Sequence, residues 1–144
     1  MNNKIEHIRS CKQFKALMTK KEIDNILKNE SGIILLEKES EQSFFESVLN
    51  NTISLISAIY FLTRKKLDSL ILTEKRILLI VRNKILIEKK LNGSESLIYN
   101  GVKSALEIND KNEKSIIGLK KLRVSYEEGK LIRQKITEFD NRTE

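Results

Sequence analysis

Between Leu70 and Leu91 the chain carries three short apolar runs, Leu70–Leu72, Ile77–Val81 and Ile85–Ile87. Two polar breaks separate them, Thr73-Glu74-Lys75-Arg76 and Arg82-Asn83-Lys84, each short enough to be a hairpin turn. The runs are too short for independent helices, are rich in β-branched residues, and recur at strand-length spacing. This stretch predicts the middle of an antiparallel meander, and the rest of the chain has to fold around it.

Further strand signals flank it. Ile33-Ile34-Leu35-Leu36, bounded by Gly32 and Glu37-Lys38-Glu39, predicts the first strand. Asn92-Gly93 and Asn100-Gly101 suit type I′ turns, whose central residues need positive φ, and they bracket a strand at Ser94–Tyr99. Val102, Ser104, Leu106 and Ile108 then fall in one strand register. The turn Asp110-Lys111-Asn112-Glu113 leads to Ile116-Ile117-Gly118-Leu119, and Leu122–Tyr126 alternates once more.

Helix signals sit outside the meander. Residues 3–18 align Ile5, Ile8, Cys11 or Lys12, Lys15 and Met18, with Phe14 and Leu17 beside them, as an amphipathic helix would. Thr19-Lys20-Lys21-Glu22 matches a capping box, opening a helix with Ile23, Ile26 and Leu27 on one face that Ser31-Gly32 stops. Ser43-Phe44-Phe45-Glu46 matches a second box, and apolar residues keep helical spacing from it to Arg64-Lys65-Lys66. The alternative there is a helix only to Asn50-Asn51 with Thr52–Leu62 as a strand, which the β-branched content also allows. Ser125-Tyr126-Glu127-Glu128 matches a third box. It precedes a stripe of Leu131, Ile132, Lys135, Ile136 and Phe139, although Gly129 weakens the first helical turn.

Together these signals predict an α+β fold of about six or seven short antiparallel strands closed by one C-terminal helix. Such a meander leaves open edges unless it curls into a barrel or bent sandwich, and the terminal helix is the right size to plug an open end.

The aliphatic run ending at Leu72, then Thr73, Lys75 and Arg76, then Ile77 and Leu78, carry a further likeness. Leu70 to Val81 resembles the strand–turn–strand motif of short bacterial pleckstrin-homology-like (PH-like) domains, and the strands-then-helix order to Phe139 agrees. The resemblance implies a PH-like antiparallel meander or partly open barrel over residues 32–141. It leaves an N-terminal helical extension at 1–31 and a helical insertion at about 41–62 outside the family pattern. The family is mostly non-enzymatic, so the resemblance implies a binding scaffold.

The chemistry in the sequence agrees with a non-enzymatic role. His7 is the only histidine and Cys11 the only cysteine among 144 residues, so a multi-histidine metal site and an internal disulfide are excluded. Cys11 lies between Arg9 and Lys12 but reads as a half-buried core thiol, and His7 as a surface residue. Glu37, Glu39 and Glu41 read as a solvated acidic strand end. There is no glycine-rich nucleotide fingerprint, phosphate loop or Cys-x-x-Cys. No cofactor and no metal are expected. Thr73, Lys75 and Arg76 are expected to act structurally, bonding the turn and covering the sheet.

Charge and apolar patterning bound the partners. Residues 63–90 carry nine basic and three acidic side chains, which accounts for most of the net charge of +7. A solvated basic face is the simplest explanation. With the apolar stripe of residues 43–62, these features predict a cytoplasmic interaction module that recognises a protein or peptide and forms a homodimer through that segment. The expected contact residues are Ile56, Ile59, Tyr60, Arg64, Lys65 and Lys66. Tyr60 and Phe61 beside Arg64-Lys65-Lys66 also suit an alternative, peripheral binding to an anionic membrane. Nucleic-acid binding ranks last, because aromatics are only 6% of the chain and tryptophan is absent.

Overall fold

The structure is a computed structural model that describes residues 4–7, 19–40 and 66–143, with 4–7 and Thr143 as backbone only. Two sheets and two long helices are organised around the stretch that dominates the sequence. β2 (Ile33–Glu39), β3 (Leu67–Leu72), β4 (Arg76–Val81) and β5 (Lys84–Lys90) form one antiparallel sheet in that order. β6 (Ser96–Asn100), β7 (Ala105–Asn109) and β8 (Glu113–Gly118) form a second antiparallel meander. The strands do not close into one continuous sheet.

β3 and β4 are apolar on both faces because both faces are covered. Leu70, Leu72, Ile77 and Leu79 face the main core with Leu106, Ile108 and Ile117 of the second sheet. Ile71, Leu78 and Ile80 face the other way and pack with Ile23 of α1 (Lys20–Glu30), flanked by Ile26 and Leu27. Each such side chain contributes about 1.5–3 kcal/mol when removed from water. The Thr19/Glu22 capping box is formed, with Glu22 accepting from the Thr19 N–H at 2.6 Å and Thr19 accepting from the Glu22 N–H at 3.3 Å.

The C-terminal helix α2 (Tyr126–Thr143) fills the gap between the sheets. Ile132 and Ile136 are buried in the main core, with Phe139 packed against it. Leu131, expected in the same stripe, is half exposed. The Ser125/Glu128 box is also formed: Ser125 donates its N–H to Glu128 at 2.7 Å and its hydroxyl accepts the Glu128 N–H at 3.2 Å.

Four local expectations are corrected. Lys4–His7 form a strand, β1, parallel to β8, so they are not part of a helix over 3–18; residues 8–18 lie outside the described residues. Neither Asn-Gly pair makes a two-residue hairpin. Asn92-Gly93 lies in the connection between the sheets, and Asn100-Gly101 opens a four-residue turn in which Asn100 Oδ1 accepts the Lys103 N–H at 3.2 Å. That turn moves Val102 out of the predicted register to full exposure, whereas Leu106 and Ile108 face the core as expected. Leu122–Tyr126 is not a strand: Lys120–Leu122 form a 3-10 turn, and the capping box claims Ser125 for the helix. The insertion at 41–62, with its helix-or-strand alternative, lies outside the described residues.

The tight hairpin turn with two positive φ values is instead Arg82-Asn83, at 53° and 60°. Asn83 Oδ1 accepts the Leu67 N–H at 2.7 Å, and its own N–H donates to the Leu67 carbonyl at 3.0 Å. Arg82 donates its N–H to Asp68 at 2.8 Å, and the Ser40 hydroxyl bonds the same carboxylate. Replacing Asn83 by alanine removes both a side chain tolerant of left-handed backbone and a bond to a strand amide. We expect Asn83→Ala to cost about 2 kcal/mol in urea unfolding and Asn83→Gly about half as much; equal losses would show that the backbone conformation is not strained.

Candidate functional site

The motif residues Thr73 and Arg76 are consumed by structure. Thr73 is fully buried at the end of β3. Its hydroxyl donates to Glu30 Oε2 at 3.0 Å and accepts the N–H groups of Lys75 at 3.2 Å and Arg76 at 3.0 Å. Arg76 grips Glu30 with two nitrogens, Nε at 3.0 Å and Nη2 at 2.5 Å, and reaches Glu88 through Nη1 at 2.7 Å. The C-terminal end of α1 is thereby fastened to the β3–β4 hairpin. Gly32 permits the close approach, since a Cβ there would lie 2.8 Å from Thr73 Cγ2 and 3.0 Å from the Leu72 carbonyl oxygen. Lys75 is exposed at the turn tip, and its carbonyl accepts the Leu91 N–H at 2.8 Å.

Of the expected contact residues, Ile56, Ile59, Tyr60, Arg64 and Lys65 lie outside the described residues. Lys66 is exposed just before β3, where its carbonyl accepts the Ser40 N–H at 2.8 Å.

A concave site lies away from the expected contact residues. It is a cavity of about 370 Å³ between the β6–β7 turn and the first turns of α2. Gly101 and Val102 form one side, and Val124, Ser125 and Tyr126 the other. Tyr99 and Gly129 meet at its inner end: a Cβ on Gly129 would sit 2.7 Å from the Tyr99 ring, so the helix presents bare backbone to that ring. The glycine that weakens the helix is what lets the buried tyrosine lie against it. Arg133, one turn further on, donates Nε to the Tyr99 carbonyl at 3.4 Å and places its guanidinium 5.5 Å from the centre of the ring.

The rim is unusually apolar for a surface. Val102 is 100% exposed and Tyr126 75% exposed, and these are two of the four exposed large hydrophobic residues among those described. Lys130 lies 4.6 Å from the centre of the Tyr126 ring and 3.4 Å from Glu127, which orders the outer lip. Among the described residues, Arg133 makes no ion pair and is the one charged side chain that lines the cavity. The volume suits one or two side chains of a partner. The sequence signals for this site were Gly129 early in a helix and valine following an Asn-Gly pair.

Among the described residues no group of three His, Cys, Asp or Glu side chains is placed to hold a metal ion. None of their helices is long and apolar enough to cross a membrane. Compared with protein-family models, curated proteins and solved structures, the chain matches none.

The Glu30 clamp gives the fold a pH signature. Partial burial opposes ionisation of Glu30, but hydrogen bonds from Arg76 and Thr73 outweigh it and hold the carboxyl below its ordinary value of 4.5. A depressed folded-state pKa gives stability that is present above the unfolded value and lost as pH falls through the folded one. Urea midpoints measured from pH 6 downward should therefore fall below about pH 4.5, with a shallower decline in Glu30→Gln. An unchanged decline in that variant would place the acid sensitivity in other carboxylates.

Proposed function

We propose that this chain is a non-enzymatic binding module on a PH-like scaffold, recognising a protein or peptide through the cavity between β6 and α2. The PH-like reading is supported by the chain order of a four-stranded antiparallel sheet, a three-stranded antiparallel meander and a C-terminal helix packed between them. The observation that carries the functional reading is the exposed apolar rim of Val102 and Tyr126 around the Tyr99–Gly129 recess. Leaving such side chains in water is unfavourable, and partners bury them first.

The partner's chemistry follows from the lining. An aliphatic or aromatic side chain fills the recess against Tyr99 and Gly129, and a neighbouring carboxylate meets Arg133. Among the described strands β6 ends its sheet, and the recess lies beside it. No proton transfer or covalent step enters this reading.

A peptide-display selection against the full chain, followed by amide-shift mapping, tests it. Selected peptides should carry an apolar anchor beside an acidic residue and should shift the amides of Tyr99, Val102, Tyr126 and Gly129. Val102→Asp combined with Tyr126→Asp should weaken binding at least about tenfold, because a charge replaces a contact made in a desolvated recess. Both residues are exposed, so unfolding should be unchanged. Peptides that map elsewhere, or bind the double variant equally, contradict the proposal.

A further inference from the structure

Tyr99 is only 6% exposed, yet its hydroxyl has no hydrogen-bond partner among the described residues. Its carbonyl accepts from Arg133, and its ring lies beneath the same guanidinium and against Gly129. The hydroxyl oxygen sits 3.3 Å from where a Cβ on Gly129 would lie, at the inner end of the recess that both residues line. Buried phenols are ordinarily bonded, because an unsatisfied O–H costs free energy. An O–H held at the floor of an open recess is left for what enters.

The other polar groups of the wall are also donors. Arg133 is exposed, makes no ion pair among the described residues, and has no acceptor to offer. At the start of α2, Ser125 accepts the Glu128 N–H through its hydroxyl and the Gly129 N–H through its carbonyl. The N–H groups of Tyr126 and Glu127 come before these and have no acceptor within the helix. The carboxylates of that turn are engaged elsewhere, Glu127 with Lys130 at 3.4 Å and Glu128 with Lys38 at 3.3 Å, and neither lines the cavity. Such a wall selects a group that only accepts. One guanidinium matches the single charge of a carboxylate better than the double charge of a phosphate.

The shape of the recess says where that carboxylate lies in its chain. Val102, Val124 and Tyr126 make an apolar mouth, and Tyr99 against Gly129 closes the inner end. A chain cannot run through; it enters and stops. The last residue of a polypeptide brings an apolar side chain and a carboxylate on one Cα. We propose that the cavity captures the C-terminus of a partner polypeptide, its terminal carboxylate held by the Tyr99 hydroxyl and Arg133. This rests on the reading of the cavity as a peptide site and names the part of the peptide that it takes.

Amide-shift titration of the full chain tests it, with N-acetyl-Gly-Ser-Gly-Ser peptides extended by a final Leu, Val, Phe or Tyr. Each is supplied as the free acid and as the C-terminal amide. The best acid should shift the amides of Tyr99, Tyr126 and Gly129 and bind at least about tenfold more tightly than its amide. Tyr99→Phe keeps the ring and removes only the hydroxyl, so its urea midpoint should match that of the parent protein. It should lose about fivefold in affinity for the acid and nothing for the amide, and Arg133→Gln should narrow the same gap. Equal binding of acid and amide at the cavity overturns the terminal carboxylate and leaves the peptide site standing. An amide with Asp before the last residue that binds as tightly as the free acid assigns the carboxylate to a side chain and also overturns the proposal. If no acid shifts these amides while display-selected peptides do, the chain-end reading falls alone. If selected peptides leave them unmoved as well, the peptide site falls with it.

Discussion

α2 is the wedge on which both sheets depend. Ile132 and Ile136 enter a core built from β2–β4 on one side and β6–β8 on the other. The helix also bonds strand backbone at both edges. Lys135 donates to the Ile34 carbonyl of β2 at 2.8 Å, and Arg133 to the Tyr99 carbonyl of β6 at 3.4 Å. β2 answers with Lys38, which donates to the Arg123 carbonyl at 3.1 Å and pairs with Glu128 at 3.3 Å. Terminal strands of two open sheets would otherwise expose unpaired backbone on either side of a gap.

The same wedge shapes the cavity beside β6. The first turn of α2 has to approach β6 closely enough for its Arg133 to reach the strand, and only a glycine at 129 leaves room for the Tyr99 ring. The recess is therefore held by elements at the centre of the fold, while its rim, Val102 and Tyr126, is exposed. By contrast, the Thr73-Lys75-Arg76 turn, which carried the family likeness, spends its polar groups on Glu30 and Glu88. Those bonds fasten the end of α1 to the β3–β4 hairpin.

What the sequence disclosed follows from the range of the forces involved. The runs at 70–72, 77–81 and 85–87 became β3, β4 and β5 because short apolar runs between polar turns have few other solutions. The boxes at Thr19 and Ser125 formed because their bonds span only three residues. Turn geometry was less legible. Arg82-Asn83 took the positive φ values that Asn-Gly usually advertises, stabilised by bonds to Leu67 and Asp68 many residues away. β1 was hidden because its partner lies over a hundred residues downstream. The cavity depends on a glycine in one element and a tyrosine in another, which no local pattern joins.

Native-state hydrogen exchange in low urea tests the wedge most directly. If α2 holds the two sheets together, amides in its central turns around Ile132 and Ile136 should exchange only with those of β3, β4 and β7, through one global unfolding event. Their opening free energies should converge and share one denaturant dependence. If α2 exchanges through its own lower-energy opening while β3, β4 and β7 keep full protection, the sheets stand without it and the account is wrong.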